Sequence, residues 1–382
     1  MDENKLPSLK SSDELTIEVL RKYLLNPEED YPEPYCMLEY NGVAFSKIGG
    51  LAAISGQKKN GKSFVLTMLM AAILGDTVQR TFDYLPGLRV PQRTLEHLGH
   101  KPKVLYVDTE MEKLSSAKVL RRVHWLVDWD MKTPMPDNQF NVLWLKNMPK
   151  DAPVKAYRYR YRLIKSAIDL LKPDIVFIDG LRDLVSSIND EEAGTQILEE
   201  LASIAEERQM CIWLALHQNP GRAADTEEAK MRGWIGTELG NKVSDTLVSI
   251  KEKKNGQVTF RVVQQDARDK DMDDWQYEIT DDAGKLGIPK IVSNPGDSKR
   301  AKAEHDKEED IRRWIEEAYT KYEWPMSRAD IKSRVFGTVG NQSNHARQQA
   351  DLDFAISLGL FVESTVKSGG HYMLDIPDRL PF

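Results

Sequence analysis

The stretch Gly56-Gln57-Lys58-Lys59-Asn60-Gly61-Lys62-Ser63 sets two glycines, a lysine and a hydroxyl at the spacing G-x-x-x-x-G-K-(S/T). That spacing suits the wrapping of backbone N–H groups around phosphate oxygens. Glycine lets the chain turn successive N–H groups inward, and the start of the following helix adds positive potential. Lys62 is then placed to reach the β- and γ-phosphates of ATP, and the Ser63 hydroxyl to ligate Mg²⁺. With Phe64, which opens the helix, residues 56–64 form the expected nucleotide-binding set. Downstream, Ile175-Val176-Phe177-Ile178-Asp179 is an apolar run ending in a carboxylate, which suits a direct or water-mediated contact to the same metal.

The residue after Asp179 is Gly180 rather than a second acid, so the base for an attacking water must come from elsewhere. Glu110 is the candidate, in Asp108-Thr109-Glu110-Met111-Glu112 just after the apolar run Val104-Leu105-Tyr106-Val107. A carboxylate at that strand end can orient and deprotonate water. A third polar pair, His217-Gln218, ends the run Ile212-Trp213-Leu214-Ala215-Leu216 and can sense the γ-phosphate. The plain alternatives are ordinary loop acids around Glu110 and a histidine packed at a strand end.

These groups meet only if a scaffold sets several strand ends side by side. Strands are expected at 51–54, 104–107, 141–145, 174–178 and 211–216, and helices at 63–74, 154–171 and 193–208. Apolar strands alternating with helices predict an α/β fold with a mostly parallel sheet covered on both faces. Hairpin strands at 246–250 and 258–264 follow, flanking Asn255-Gly256. Residues 1–45 read as a polar lead-in with a short amphipathic helix over 13–25, residues 46–293 as the core, and 294–306 as a linker. Residues 307–382 read as three helices and a β-hairpin, the order of a small α+β winged-helix domain. There the third helix would offer Ser343, Asn344, His345, Arg347, Gln348 and Gln349 to bases or phosphates, and the wing Lys367, Ser368 and His371.

Among 382 residues, 30% are charged and 41% hydrophobic, an ordinary globular balance. The net charge of −7 argues against coating nucleic acid by bulk electrostatics and leaves room for local basic patches. Cys36 and Cys211 lie far apart with no metal-ligand partners at motif spacing, and read as reduced core thiols. No apolar run has transmembrane length and the first residues are polar, so the expectation is a cytoplasmic protein without a membrane partner.

Taken in order, GQKKNGKS, VLYVDTE, IVFIDG and WLALHQN resemble the RecA-like ATPases of the DnaB and RepA hexameric helicase group, nearest the RepA type of plasmids and mobile elements. The resemblance spans roughly residues 40 to 292. It implies Glu110 as the catalytic base, Asp179 on the metal, and His217 and Gln218 as sensors. It implies a homo-oligomeric ring, a hexamer, in which an arginine of one subunit completes its neighbour's site. Arg268 and Arg232 both suit that role. The implied partner is DNA, single-stranded, contacted through loops near 182–194 and 220–234. The implied activity is a Mg-ATP-driven DNA helicase in replication or mobilisation. A RecA/RadA-like recombination ATPase and a regulatory ATP switch are the other readings.

Overall fold

Parallel strands with helices on both faces bury both sides, so their side chains are apolar at odd and even positions alike. The computed structural model places five such strands in one sheet: Leu51–Gly56 (β3), Val104–Asp108 (β5), Phe140–Trp144 (β6), Ile175–Asp179 (β7) and Cys211–His217 (β8). The structure describes residues 24–219, 230–254, 257–267, 271–292, 307, 310–357, 360–368 and 371–376. Two compact units divide the chain, Met1–Ile291 and Val292–Phe382.

In the first unit the nine-stranded order is β12-β11-β10-β9-β3-β8-β7-β5-β6, where β9 is Asp245–Lys254, β10 Gln257–Ala267, β11 Trp275–Thr280 and β12 Ile288–Val292. From β9 to β6 every pairing is parallel, whereas β9, β10 and β11 pair antiparallel. The parallel register sets Asp108 opposite Asp179 and Gly56 opposite His217. The carboxyl ends of β3, β5, β7 and β8 therefore share one edge, where the expected functional residues meet. Alternation along β7 feeds two cores: Ile175 and Phe177 join the cluster of Met68, Leu69 and Trp213, while Val176 and Ile178 join that of Ile164, Leu198 and Leu214.

The three core helices expected from the sequence form close to their predicted bounds. Lys62–Leu74 (α1) starts at Gly61, and Ala156–Leu171 (α5) ends at Lys172 in the left-handed conformation before Pro173. Glu191–Glu207 (α6) is capped by Asp190, whose side chain accepts from the Ala193 N–H at 3.0 Å. Gln79–Tyr84 (α2), Gln92–Leu98 (α3), Lys113–Leu126 (α4) and Gly233–Lys242 (α7) complete the unit. The turn residues Asn255 and Gly256 lie outside the described residues.

The expected lead-in holds regular structure in its described part. Cys36–Tyr40 (β1) and Val43–Lys47 (β2) form a hairpin, joined on its other side by Leu88–Arg89 (β4), and bury Met37, Leu38 and Phe45 in the first core. Its turn is Asn41-Gly42, both at positive φ, the pair that matches strand twist in a two-residue hairpin. The helix expected over 13–25 falls almost wholly outside the described residues, as does the 294–306 linker. Both cysteines are buried and neither forms a disulfide. Among the described residues no helix is long and apolar enough to cross a membrane.

In the second unit a helix over 310–321 (α8) is followed by Arg328–Asp330, continuing in wider turns through Ile331–Val339 (α9), then His345–Ser357 (α10) and the antiparallel strands Val362–Ser368 (β13) and His371–Asp375 (β14). Met326 adds a bridge to Leu374, and Ile311, Ile315, Phe336 and Leu352 make the core. Ser327 caps α9, its side chain accepting from the Asp330 N–H. Helix α10 starts at His345, so Ser343, expected within it, lies before it, and Asn344 accepts from the N–H groups of Ala346 and Arg347 at its start. Gln348 is buried, donating to the Gln342 carbonyl at 2.6 Å, so it is not among the exposed polar groups of that helix.

Trp213 locks the hairpin to the sheet. It is fully buried between Phe45 and Phe177 and donates its indole N–H to Ser46 Oγ at 2.8 Å. Trp213→Ala should therefore destabilise the first unit by about 3–5 kcal/mol, read as a lower urea midpoint at unchanged slope. A loss below about 1 kcal/mol would contradict this packing role.

Candidate active site

Between β3 and α1 the chain must reverse around a phosphate-sized space, and Gly61 makes that possible. It has φ 85°, and a Cβ there would overlap the Tyr277 hydroxyl and crowd the Phe260 ring. Tyr277 donates to the Gly61 carbonyl at 3.0 Å and stacks on Phe260, so β10 and β11 brace the loop from behind. The Asn60 carbonyl accepts from Ser249 Oγ on β9. Helix α1 starts without a side-chain cap and carries no acid in its first turn. Its positive end is thus left for an anion.

Lys62 is 8% exposed, and burial lowers its ammonium pKa, against the pull of Asp179 and Glu110. Its Nζ donates to the carbonyls of Gly56 at 3.0 Å and Gln57 at 3.2 Å, and lies 2.9 Å from His217 Nδ1. An ammonium can only donate, so Nδ1 accepts and the ring proton sits on Nε2. That nitrogen faces Glu110 Oε2 at 3.4 Å. The His217 hydrogen bond, above all, holds the Glu110 carboxyl below its usual range. Lys62, His217 and Glu110 thus form one continuous polar chain.

Ser63 Oγ donates to Asp179 Oδ2 at 2.7 Å, and Tyr106 donates to the same oxygen at 2.9 Å. Asp179 is 5% exposed, and burial, foremost, raises its pKa. A hydroxyl and a buried carboxylate in contact form a hard-oxygen pair of the kind Mg²⁺ takes beside phosphate oxygens. The donors present fit that ion.

Gly180 explains why no second acid follows Asp179. It has φ 114°, and a Cβ there would overlap Thr109 Oγ1 and meet the Glu110 side chain. Thr109 Oγ1 donates back to the carbonyls of Asp179 and Gly180, at 3.2 and 3.0 Å. Asp108 Oδ1 accepts from the N–H groups of Glu110 and Met111, both at 2.9 Å, shaping the turn that presents Glu110. The carboxylate facing Lys62 is delivered by β5, into space that Gly180 on β7 leaves free.

These groups line a cleft of about 570 Å³ that includes Lys59, Lys62, Ser63, Glu110, Asp179 and His217. Lys58, Asn60 and Phe64 line it too; Gln57 turns aside and donates to the Asn219 carbonyl at 2.9 Å. Gln218 is buried and donates to Ser55 Oγ at 3.2 Å, beneath the loop rather than in the cleft. Arg232 is exposed at the start of α7, its backbone N–H bonded to the His217 carbonyl at 2.8 Å. Arg268 and residues 220–229 lie outside the described residues. Sequence reasoning missed Tyr106, Phe260, Tyr277 and Arg122. The Arg122 guanidinium sits 4.3 Å from the Phe64 ring centre and donates through Nε to the carbonyls of Leu286 and Gly287. Burial lowers its pKa to about 10. A larger cavity of about 810 Å³ opens at the opposite ends of β5, β7 and β8, where His100 pairs with Asp174 and Arg208 with Asp169. Size does not make it the site, because no phosphate-cradling loop reaches it.

A braced glycine loop, its lysine, and a hydroxyl–carboxylate pair at the carboxyl edge of a RecA-like sheet define a P-loop ATPase. Residues 45–223, a little under half of the chain, match the family described as AAA domain. No curated protein matches. Among solved structures, the chain is similar to a KaiC-like protein of the hyperthermophilic archaeon Pyrococcus horikoshii, at 16% identity and a TM-score of 0.43, over 68% of this chain and 99% of that one.

Asp179→Asn should raise the melting temperature of the nucleotide-free protein near neutral pH and abolish Mg²⁺-dependent tightening of ATP binding. Asparagine keeps an acceptor for Ser63 and Tyr106 and removes a buried charge. The sign follows from the raised folded pKa: the wild-type penalty is absent below the unfolded value of 3.8, grows as pH rises, and is complete above the folded pKa. The variant's advantage should grow over that window in melting curves taken across pH. An advantage that shrinks with rising pH would contradict the burial argument.

Proposed function

We propose that the chain is a Mg-ATP-driven motor on single-stranded DNA, a RepA-like helicase assembling as a ring, in the replication or mobilisation of a plasmid, phage or integrated element. The observation that carries it is the placement of Glu110. The site draws its carboxylate from β5, opposite Lys62 and linked to His217, rather than from the residue after Asp179. That is the arrangement which the resemblance to the DnaB and RepA group leads one to expect.

In this reading Glu110, kept ionised by its His217 hydrogen bond, orients the attacking water and takes its proton. Lys62 exchanges its loop carbonyls for the β- and γ-phosphate oxygens. Ser63 and Asp179 would hold Mg²⁺, which when bound neutralises charge on the transferring phosphoryl group. His217 sits between Lys62 and Glu110 and so senses whether the phosphate is present. The developing charge calls for one more cation. Among the described residues, the arginine lining the cleft is Arg122, and carbonyls and Phe64 already engage its guanidinium. The resemblance implies an arginine from a neighbouring subunit in that role, with Arg232 and Arg268 as candidates. The second unit is read as a winged helix that offers Ser343, just before α10, and His345 and Arg347, within it, to DNA; all three are exposed.

Steady-state ATP hydrolysis with and without single-stranded DNA tests the reading. Wild-type turnover should rise several-fold on adding DNA. Glu110→Gln should lower kcat by about 10²–10⁴ while ATP binding persists. Hydrolysis that survives the substitution would remove Glu110 as the base. Turnover indifferent to DNA would replace the motor with a regulatory switch, and filaments on DNA with a recombinase.

A further inference from the structure

We infer that the groove between α5 and α6 in the first unit is a binding site for single-stranded nucleic acid, with its phosphates on α5. The run Tyr157-Arg158-Tyr159-Arg160-Tyr161-Arg162 alternates by twos in sequence, but a helix sorts its residues by threes and fours. Arg158, Arg162 and Lys165 fall on one line, and all three are exposed. None of them has an ion pair among the described residues. Tyr157 and Tyr161 fall on the neighbouring line and are half-buried. Arg158 stands 5.8 Å from the Tyr157 ring centre, and Lys165 5.6 Å from that of Tyr161. Cations and aromatic rings therefore interleave along a single edge.

The edge borders a cavity of about 440 Å³ whose far wall includes Leu184, Val185 and Ile197. One acid, Glu200, lines it, and Gln196 already donates to its carboxylate at 3.0 Å. Arg160 faces the other way and fixes the helix in place. Its guanidinium donates to the carbonyls of Leu145, Lys146 and Asp183, at 2.8, 2.7 and 3.4 Å. The cations thus stand on a helix tied to the end of β6 and to the segment after β7, so little ordering remains to be done on binding.

The chemistry selects the ligand. On a chain of net charge −7, three neighbouring cations without ion-pair partners among the described residues make a local anion site. Phosphodiesters supply regularly spaced negative charge. Unpaired bases supply flat faces for the tyrosines. A duplex hides those faces in its stack, so a single strand fits better. The choice of partner rests on the DNA reading above; the three cations stand on α5, outside the loops which that reading invokes, while Leu184 and Val185 of the far wall belong to one of them.

The test is fluorescence anisotropy of a fluorescein-labelled oligothymidylate with the full chain, over a salt series, with the variant Arg158→Ala/Arg162→Ala/Lys165→Ala. The variant should bind at least about tenfold more weakly at 0.1 M salt. Its slope of log K against log salt should be shallower by about 2, at roughly 0.7 for each single-strand phosphate that the variant no longer neutralises. Tyr157→Ala should weaken binding about tenfold and leave the slope unchanged. Both variants should hydrolyse ATP without DNA at the wild-type rate, which reports an intact core. Wild-type affinity and slope in the triple variant would overturn the groove as the site, whereas DNA-stimulated hydrolysis by the wild type would still stand for the motor. Failure of the wild type to bind the oligonucleotide would also overturn it. So would capture of labelled polyglutamate through the same three cations in preference to the oligonucleotide, which would mark a docking face for acidic protein.

Discussion

Much of the first unit is arranged around a carboxylate buried at the end of β7. Asp179 could not remain there without partners, because an isolated buried charge costs several kcal/mol. Two hydroxyls answer that cost from opposite directions, Ser63 from the first turn of α1 and Tyr106 from within β5. Each partner ties an element to the β7 edge, so the hydrogen bonds that satisfy the carboxylate also fix the glycine loop and the Glu110 turn. Desolvation still outweighs them and pushes the carboxyl upward. In the proposed function a divalent cation held by Ser63 and Asp179 would relieve that cost.

A parallel sheet makes this economical. With β3, β8, β7 and β5 in uninterrupted register, strand ends arrive side by side without long loops. The edge has room for one acidic side chain between β5 and β7, and the φ of Gly180 gives that room to β5. An acid in place of Gly180 would need both a backbone conformation that side chains disfavour and the volume now filled by Thr109 and Glu110. The missing second acid and the presence of Glu110 are one steric fact seen from two strands.

That fact explains what the sequence disclosed. The glycine loop, the apolar runs ending in Asp108, Asp179 and His217, and the helices α1, α5 and α6 were legible because each rests on local spacing; α2, α3, α4 and α7 were not read. Gly180 was legible as an absence. Tyr106 was not, since a tyrosine inside an apolar strand reads as core until Asp179 is seen beside it. Nor was Arg122, which acts through Phe64 and two carbonyls more than 150 residues downstream. The β1–β2 hairpin was obscured by the acidic, proline-rich stretch before it, although Asn41-Gly42 between two apolar runs was the signal. In α5, a two-residue alternation hid a helical edge. Gln218 follows His217, yet in the last step of β8 it turns beneath the loop to Ser55, because adjacent side chains on a strand point to opposite faces.

The remaining question is how a change at the phosphate could reach DNA. Lys62 is satisfied by two carbonyls and His217, so in the proposed cycle a nucleotide takes the lysine away from partners it already has. Such an exchange is nearly neutral for Lys62 but not for His217, which loses its donor and keeps Glu110 alone. The His217 carbonyl accepts from Arg232, and Asn219 donates to the Lys230 carbonyl. These two bonds close the base of residues 220–229, one of the two segments in which DNA contacts are proposed. A shift of His217 therefore acts on that base directly, through backbone hydrogen bonds rather than through a long chain of packed side chains. Coupling over so short a path needs no large domain motion, only two arrangements of one histidine that differ in which partner it holds.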